Sequence, residues 1–308
     1  MIKHRVSLKG PGAQGGQISG FLLKELLQIL CDGTKGALRL RLDGRSSAPG
    51  NDPRWLEDAS DFLVTGLEEG STVLTIDAAP LSQAVPEKFQ QLSLLLDHTT
   101  SAFKMFEQSL VEAVSGQEDS DLFDDYLLRT YYRFSNILGS DVESIEIRNG
   151  RKNAVPVIIS SFGLEKVKAL RTSTPHPQAV KLSGRLETIR YSDKMFELVT
   201  QSGEKLRGVA PAHWNVDDIA KLWGTKVTVD GTAIFRPSGC LLRLEASTIT
   251  PARDIDLEIW SEVPTPSFKN ELRELNQSQG PKTGLNKLWG QWPGEETDEQ
   301  VREALQTL

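Results

Sequence analysis

Four histidines, two cysteines and a run of aspartates are the side chains of this 308-residue chain best suited to metal, redox or acid–base chemistry. Their spacing decides how much of it to expect. His4, His98, His176 and His213 stand far apart, none within helical or hairpin reach of another, so no zinc pattern can be drawn. Cys31 and Cys240 match neither a metal-ligand nor a redox spacing, and neither has an activating context. Ser46-Ser47 and Ser160-Ser161 belong to no nucleophile elbow. GPGAQGGQISG, from Gly10 to Gly20, joins a strand to a helix, where backbone N–H groups could meet an anion. It lacks the GK[ST] ending and the GxGxxG spacing, so a flexible connection is the expectation. DSDLFDD, with Asp119, Asp121, Asp124 and Asp125, lacks the glycine and final glutamate of a calcium loop and reads as the solvated acidic start of a helix. The expectation is a non-enzyme, with no catalytic residue, metal site or cofactor.

Binding residues are easier to name. LNKLWGQWPGEETDEQVREALQTL places two of the six tryptophans, Trp289 and Trp292, within four residues. Pro293-Gly294 suits a type II turn, and Thr297 with Gln300 forms a capping box whose acids complement a helix N-terminus. Val301, Leu305 and Leu308 then recur at i, i+4 and i+7. A helix this short is not stable alone in water and must dock, on a partner or back onto the chain's own body. Exposed tryptophans beside it suit a partner groove, because buried tryptophan commonly dominates binding energy. Lys287, Leu288, Trp289, Trp292, Pro293, Val301, Arg302 and Leu305 are the expected partner-binding residues.

WPGEETDEQVREALQ, from Trp292, resembles the C-terminal motif of bacterial antitoxin-type proteins that partner PIN-domain ribonuclease toxins. The motif is a tryptophan, Pro-Gly, acidic residues, Thr/Ser-Asp-Glu and a short helix. The body, especially IRYSDKMFELVTQSGEKLRGV and VTVDGTAIFRPSGCLLRLEA, is similar to an uncharacterised bacterial family carrying that tail. The resemblance implies that the tail wraps the toxin and blocks its acidic, metal-binding active site, with Lys287 and Arg302 as the nearby basic groups. The small DNA-binding N-terminal unit of ordinary antitoxins has no counterpart here.

The elements that position these residues follow from periodicity. Val6 and Leu8 alternate with polar neighbours as a strand, and FLLKELLQIL has helical spacing with Gly33 as its stop. ALRLRLDG alternates Leu38, Leu40 and Leu42 with Arg39 and Arg41, which reads as a half-buried strand. TVLTIDA, VESIEI and VPVIIS are further strands, and helices are expected over 86–96, 102–114, 121–138 and 164–170. After the PHPQ boundary, strands at VKLSGRLETIR, MFELVTQ and EKLRGVA precede a short helix at NVDDIAKLWG, and KVTVDGTAIF and CLLRLEASTI follow. That β-β-β-α-β-β order is the order of an OB-type barrel. The expected class is therefore α+β: a mixed α/β body at 1–174, an OB-like five-stranded barrel at 178–252, a linker at 253–285 and a helical partner-binding arm at 286–308.

Hydrophobic residues are 38% and charged residues 25% of the chain, as in ordinary globular proteins. The net charge of −7 is concentrated in the last 55 residues, where 5 Lys and Arg face 11 Asp and Glu. The net charge argues against a general nucleic-acid coat. The barrel segment from His176 to Arg253 is instead cationic, with 11 basic against 8 acidic residues. Arg185, Lys205 and Arg207 are its candidate nucleic-acid contacts, and Tyr191 and Phe196 its candidate stacking rings. Nucleic acid is thus the alternative partner. MIKHRVSLKG carries no apolar leader and no 18-residue apolar run occurs, so a cytoplasmic protein without membrane contact is expected.

Overall fold

The computed structural model describes residues 1–266, apart from 14–16, 69–71, 87–99, 140, 150–154, 191–193, 212–213, 215–217, 219 and 264. The contact pattern groups Met1–Lys269 as one compact unit and Asn270–Leu308 as another. Within the first unit two hydrophobic cores form, one in a helix-backed sheet and one inside a closed barrel. The protein is of the α+β class, as its alternating patterns imply.

Chain order in the body is β1 (Ile2–Lys9), α1 (Gly20–Asp43), α2 (Arg54–Ser60), β2 (Phe62–Glu68), β3 (Thr72–Ala78), α3 (Leu81–Ala84), α4 (Ala102–Ser115), α5 (Asp125–Tyr132), β4 (Ser144–Asn149), β5 (Val157–Ser160) and α6 (Ser161–Ser173). The sheet runs β2-β3-β1-β4-β5, every pairing antiparallel. His4, Val6 and Leu8 of β1 face inward, and α1, α4, α5 and α6 pack on one another over the same core. α2 and β2 carry too little apolar periodicity to have been expected.

One expectation fails in the body. Gly33 does not stop the first helix, and ALRLRLDG is not a strand: α1 runs 24 residues to Asp43 and ends at Gly44 in the left-handed conformation. Leu38, Arg39, Leu40 and Leu42 are all buried. The alternation misled because this half of the helix is enclosed on most sides: of its two arginines Arg41 is exposed, but Arg39 is buried and does not mark a solvent face. Arg39 is buried as a partner of Asp52, 2.9 Å away. Gly33 and Gly36 are packing residues: a Cβ on Gly33 would lie 2.6 Å from the Phe106 ring, and one on Gly36 2.8 Å from Leu127. Their missing side chains let α4 and α5 close on α1. The helix expected over 121–138 is shorter, α5 being followed by a single 3₁₀ turn at Arg133–Asn136. The helix expected over 86–96 lies almost wholly outside the described residues.

The barrel consists of β6 (Gln178–Ile189), β7 (Met195–Val199), β8 (Lys205–Val209), β9 (Lys226–Phe235) and β10 (Leu241–Pro251). Closure follows the order β10-β8-β7-β6-β9 and back, with β8–β10 the single parallel pair. Leu182, Leu186, Leu198, Val227, Val229 and Leu244 fill it. Gly184 lets the backbone of β7 come close: a Cβ there would lie 2.5 Å from the Val199 carbonyl oxygen. The turns expected at Ser202-Gly203 and Arg236–Gly239 are present, each glycine at positive φ. Of the helix expected at NVDDIAKLWG, 215–217 and 219 lie outside the described residues; Asp218 and Ala220 are helical and Gly224, the expected stop, has a positive φ. The segment read as linker opens with α7 (Asp254–Ile259), whose Leu257 is buried, and the Trp260 carbonyl accepts from Ser183 N of β6 at 2.7 Å.

Candidate functional site

The sequence-predicted partner-binding residues Lys287, Leu288, Trp289, Trp292, Pro293, Val301, Arg302 and Leu305 lie outside the described residues. The candidate nucleic-acid residues are described, and each is already engaged. Arg185 donates to Glu187 at 3.0 Å. Lys205 meets Glu197 at 3.0 Å and Glu187 at 3.2 Å. These contacts hold the Glu187 carboxyl below the usual glutamate range, the hydrogen bond from Lys205 contributing most. Arg207 reaches out of the barrel to Asp121 of the body, also at 3.0 Å. Phe196 is not a stacking platform: it is 3% exposed, with its ring over Gly208 in the barrel core. Tyr191 lies outside the described residues.

The structure instead brings together residues that sequence reasoning kept apart. Asp125 is the expected acidic helix start, paired with Arg129 in its own helix, but Asp119, Asp121 and Asp124 form a seam between body and barrel. Asp124 does cap α5, accepting from Leu127 N at 3.3 Å. It is also buried, accepting from Ser46 Oγ at 2.5 Å and from Arg243 of β10 at 3.1 Å. Arg243 is itself 8% exposed and gives its Nε to Glu245 at 2.8 Å. Asp121 sits between two barrel guanidiniums, taking Arg236 on Oδ1 and Arg207 on Oδ2. Ser238, in the β9–β10 turn, donates to Asp119 at 2.5 Å. Beneath them a Cβ on Gly44 would lie 2.9 Å from Val209, so the end of α1 abuts β8 directly. Each contact between body and barrel joins positions 86 or more residues apart, and no local spacing announces it.

A second buried polar pair lies inside the body. His4 is fully buried, its Nδ1 lies 2.8 Å from Glu107 Oε1, and its ring packs at 4.6 Å on Phe103. His4 Nε2 has no hydrogen-bond partner. Among the described residues no group of three His, Cys, Asp or Glu side chains is placed to hold a metal. Among them, too, no helix is long and apolar enough to cross a membrane. Comparison of the chain with protein families, curated proteins and solved structures gives no match to any of the three.

Proposed function

We propose that this chain is a non-catalytic cytoplasmic antitoxin-type protein that binds and inhibits a PIN-domain ribonuclease through residues 286–308. The observation that carries the reading is the tail itself: WPGEETDEQVREALQ, with Trp289 and Trp292 ahead of an apolar stripe at Val301, Leu305 and Leu308. A cluster of large apolar groups on a short segment finds its energetic reason in a partner groove on this reading. Lys287 and Arg302 are the groups suited to the acidic site of such a nuclease.

Co-expression with the cognate nuclease tests this. A chain ending at Gly284 should fold with wild-type stability yet no longer protect cells. Trp292→Ala should release the toxic activity, since losing a central aromatic anchor typically costs about 2 kcal/mol or more, whereas Glu303→Ala should not. Full protection by the shortened chain would overturn the assignment, and its unfolding would make the tail part of a core.

The barrel's strand order favours a second reading, single-strand nucleic-acid binding. Phosphates would have to displace the carboxylates now paired with Arg185, Lys205 and Arg207. Under that reading, replacing the three together weakens binding and flattens its salt dependence.

A further inference from the structure

We propose that the cleft bounded by β8, the β9–β10 turn and the three residues Val263, Thr265 and Pro266 is a binding site for an organic anion, an apolar body carrying one phosphate or carboxylate group. The cleft has a volume of about 510 Å³. That falls within the roughly 300–1,000 Å³ of small-molecule sites. Its lining includes the apolar residues Leu241, Leu242, Val263 and Pro266. It also includes Arg207 and Arg236, with Asp121 between them.

The charge balance selects the ligand's sign. One carboxylate faces two guanidiniums, and guanidinium does not shed its proton at any ordinary pH. Lys205, also in the lining, is shared with Glu187 and Glu197 outside it, and Glu204 adds a negative charge, so the positive surplus is local to the two guanidiniums about Asp121, in a molecule that is otherwise acidic. Arg236 is held in place, its side chain 21% exposed and both Nε and Nη2 directed at Asp121 Oδ1. A planar fork fixed in this way is suited to bidentate recognition of carboxylate or phosphate. The apolar part of the lining selects an organic anion over an inorganic one. Asp121 occupies the place an anion would take, so it competes with the ligand. It also ties body to barrel, so by linkage occupancy of the cleft and that tie oppose one another.

Calorimetric titration of the full chain with phenyl phosphate, benzoate and inorganic phosphate tests the site. At least one organic probe should bind roughly tenfold more tightly than inorganic phosphate, because only it can use the apolar lining. The better of the two identifies the anionic group. Arg236→Gln should weaken that binding by roughly tenfold or more. Asp121→Asn should tighten it several-fold, which a purely structural role for Asp121 does not produce. The Asn variant keeps the buried Asp124–Arg243 pair across the seam and so retains its fold. Absence of binding by every probe at about 10 mM would overturn the proposal, a concentration well beyond the dissociation constants of functional sites. Binding that Asp121→Asn leaves unchanged or weakens would overturn it as well.

Discussion

Replacing Asp124 by alanine removes one side chain from three different contacts, and the structure allows the cost to be worked out. The largest loss is electrostatic. Arg243 is 8% exposed and Asp124 6% exposed, so the variant strands a buried guanidinium. Removing one partner of a buried pair costs about 3–5 kcal/mol. Glu245 still holds Arg243 Nε at 2.8 Å from a more exposed position, which places this case at the lower end. Loss of the α5 cap adds about 1 kcal/mol. The Ser46 hydroxyl loses its acceptor in the same event, so the contributions overlap and do not simply add. The expected total is about 3–4 kcal/mol, a large part of the about 5–15 kcal/mol that holds a typical domain folded.

Asparagine at the same position separates the effects. It caps a helix about as well as aspartate and can accept from Ser46, but it cannot neutralise Arg243. Asp124→Asn should therefore be milder than Asp124→Ala by about 1 kcal/mol. Pairing Asp124→Ala with Arg243→Leu should recover much of the loss, because no charge is then left stranded. Denaturant unfolding followed by circular dichroism gives the free energies. Hydrogen exchange of β6–β10 against α1 and α4 shows whether barrel and body still open together. Since the pair spans the seam, Asp124→Ala should let the barrel exchange ahead of the body. A loss below about 1 kcal/mol, the range of exposed ion pairs, with barrel and body still opening together, would refute the seam as a structural lock.

Two further outcomes follow from close contacts and from charge. A Cβ on Gly208 would lie 2.1 Å from the Phe196 ring, which is buried in the barrel core, so Gly208→Ala should cost about 1–3 kcal/mol in thermal unfolding. Glu146 lies under Lys9 and Arg148, and the hydrogen bond from Lys9 is the largest influence holding its carboxyl below the usual glutamate range. A depressed folded pKa means that the unfolded chain takes up the proton first. This contribution is therefore complete above the unfolded value of about 4.3 and is lost as pH falls through the lower folded value. Glu146→Gln should reduce stability at neutral pH and make the acid limb of the stability profile shallower.

The barrel was legible in the sequence because its strands alternate and its turns carry glycine where positive φ demands it, at Gly203 and Gly239. Such signals are local, and the strand order follows from them. In the body the same reasoning failed at Leu38–Leu42, where alternation usually means one wet face and one dry face. Here Arg39 is dry as well, because Asp52 travels inward with it. The pattern cannot reveal that, since Asp52 stands 13 residues away in a stretch without periodicity.

The seam lies further still from what local patterns record. Asp121 and Asp124 look like ordinary acids at a helix start, and Asp124 does serve as the cap. Their other partners, Arg207, Arg236 and Arg243, sit on barrel strands and turns where arginine reads as a solvated or nucleic-acid-facing residue. Only the packing of α1 against β8 near Gly44 and Val209 brings the two sets within reach. The cationic character of residues 176–253 thus has a structural use. Three of the barrel's arginines face acids of the body, which leaves the surplus positive charge beside Asp121, in the cleft where an anion would have to compete for it.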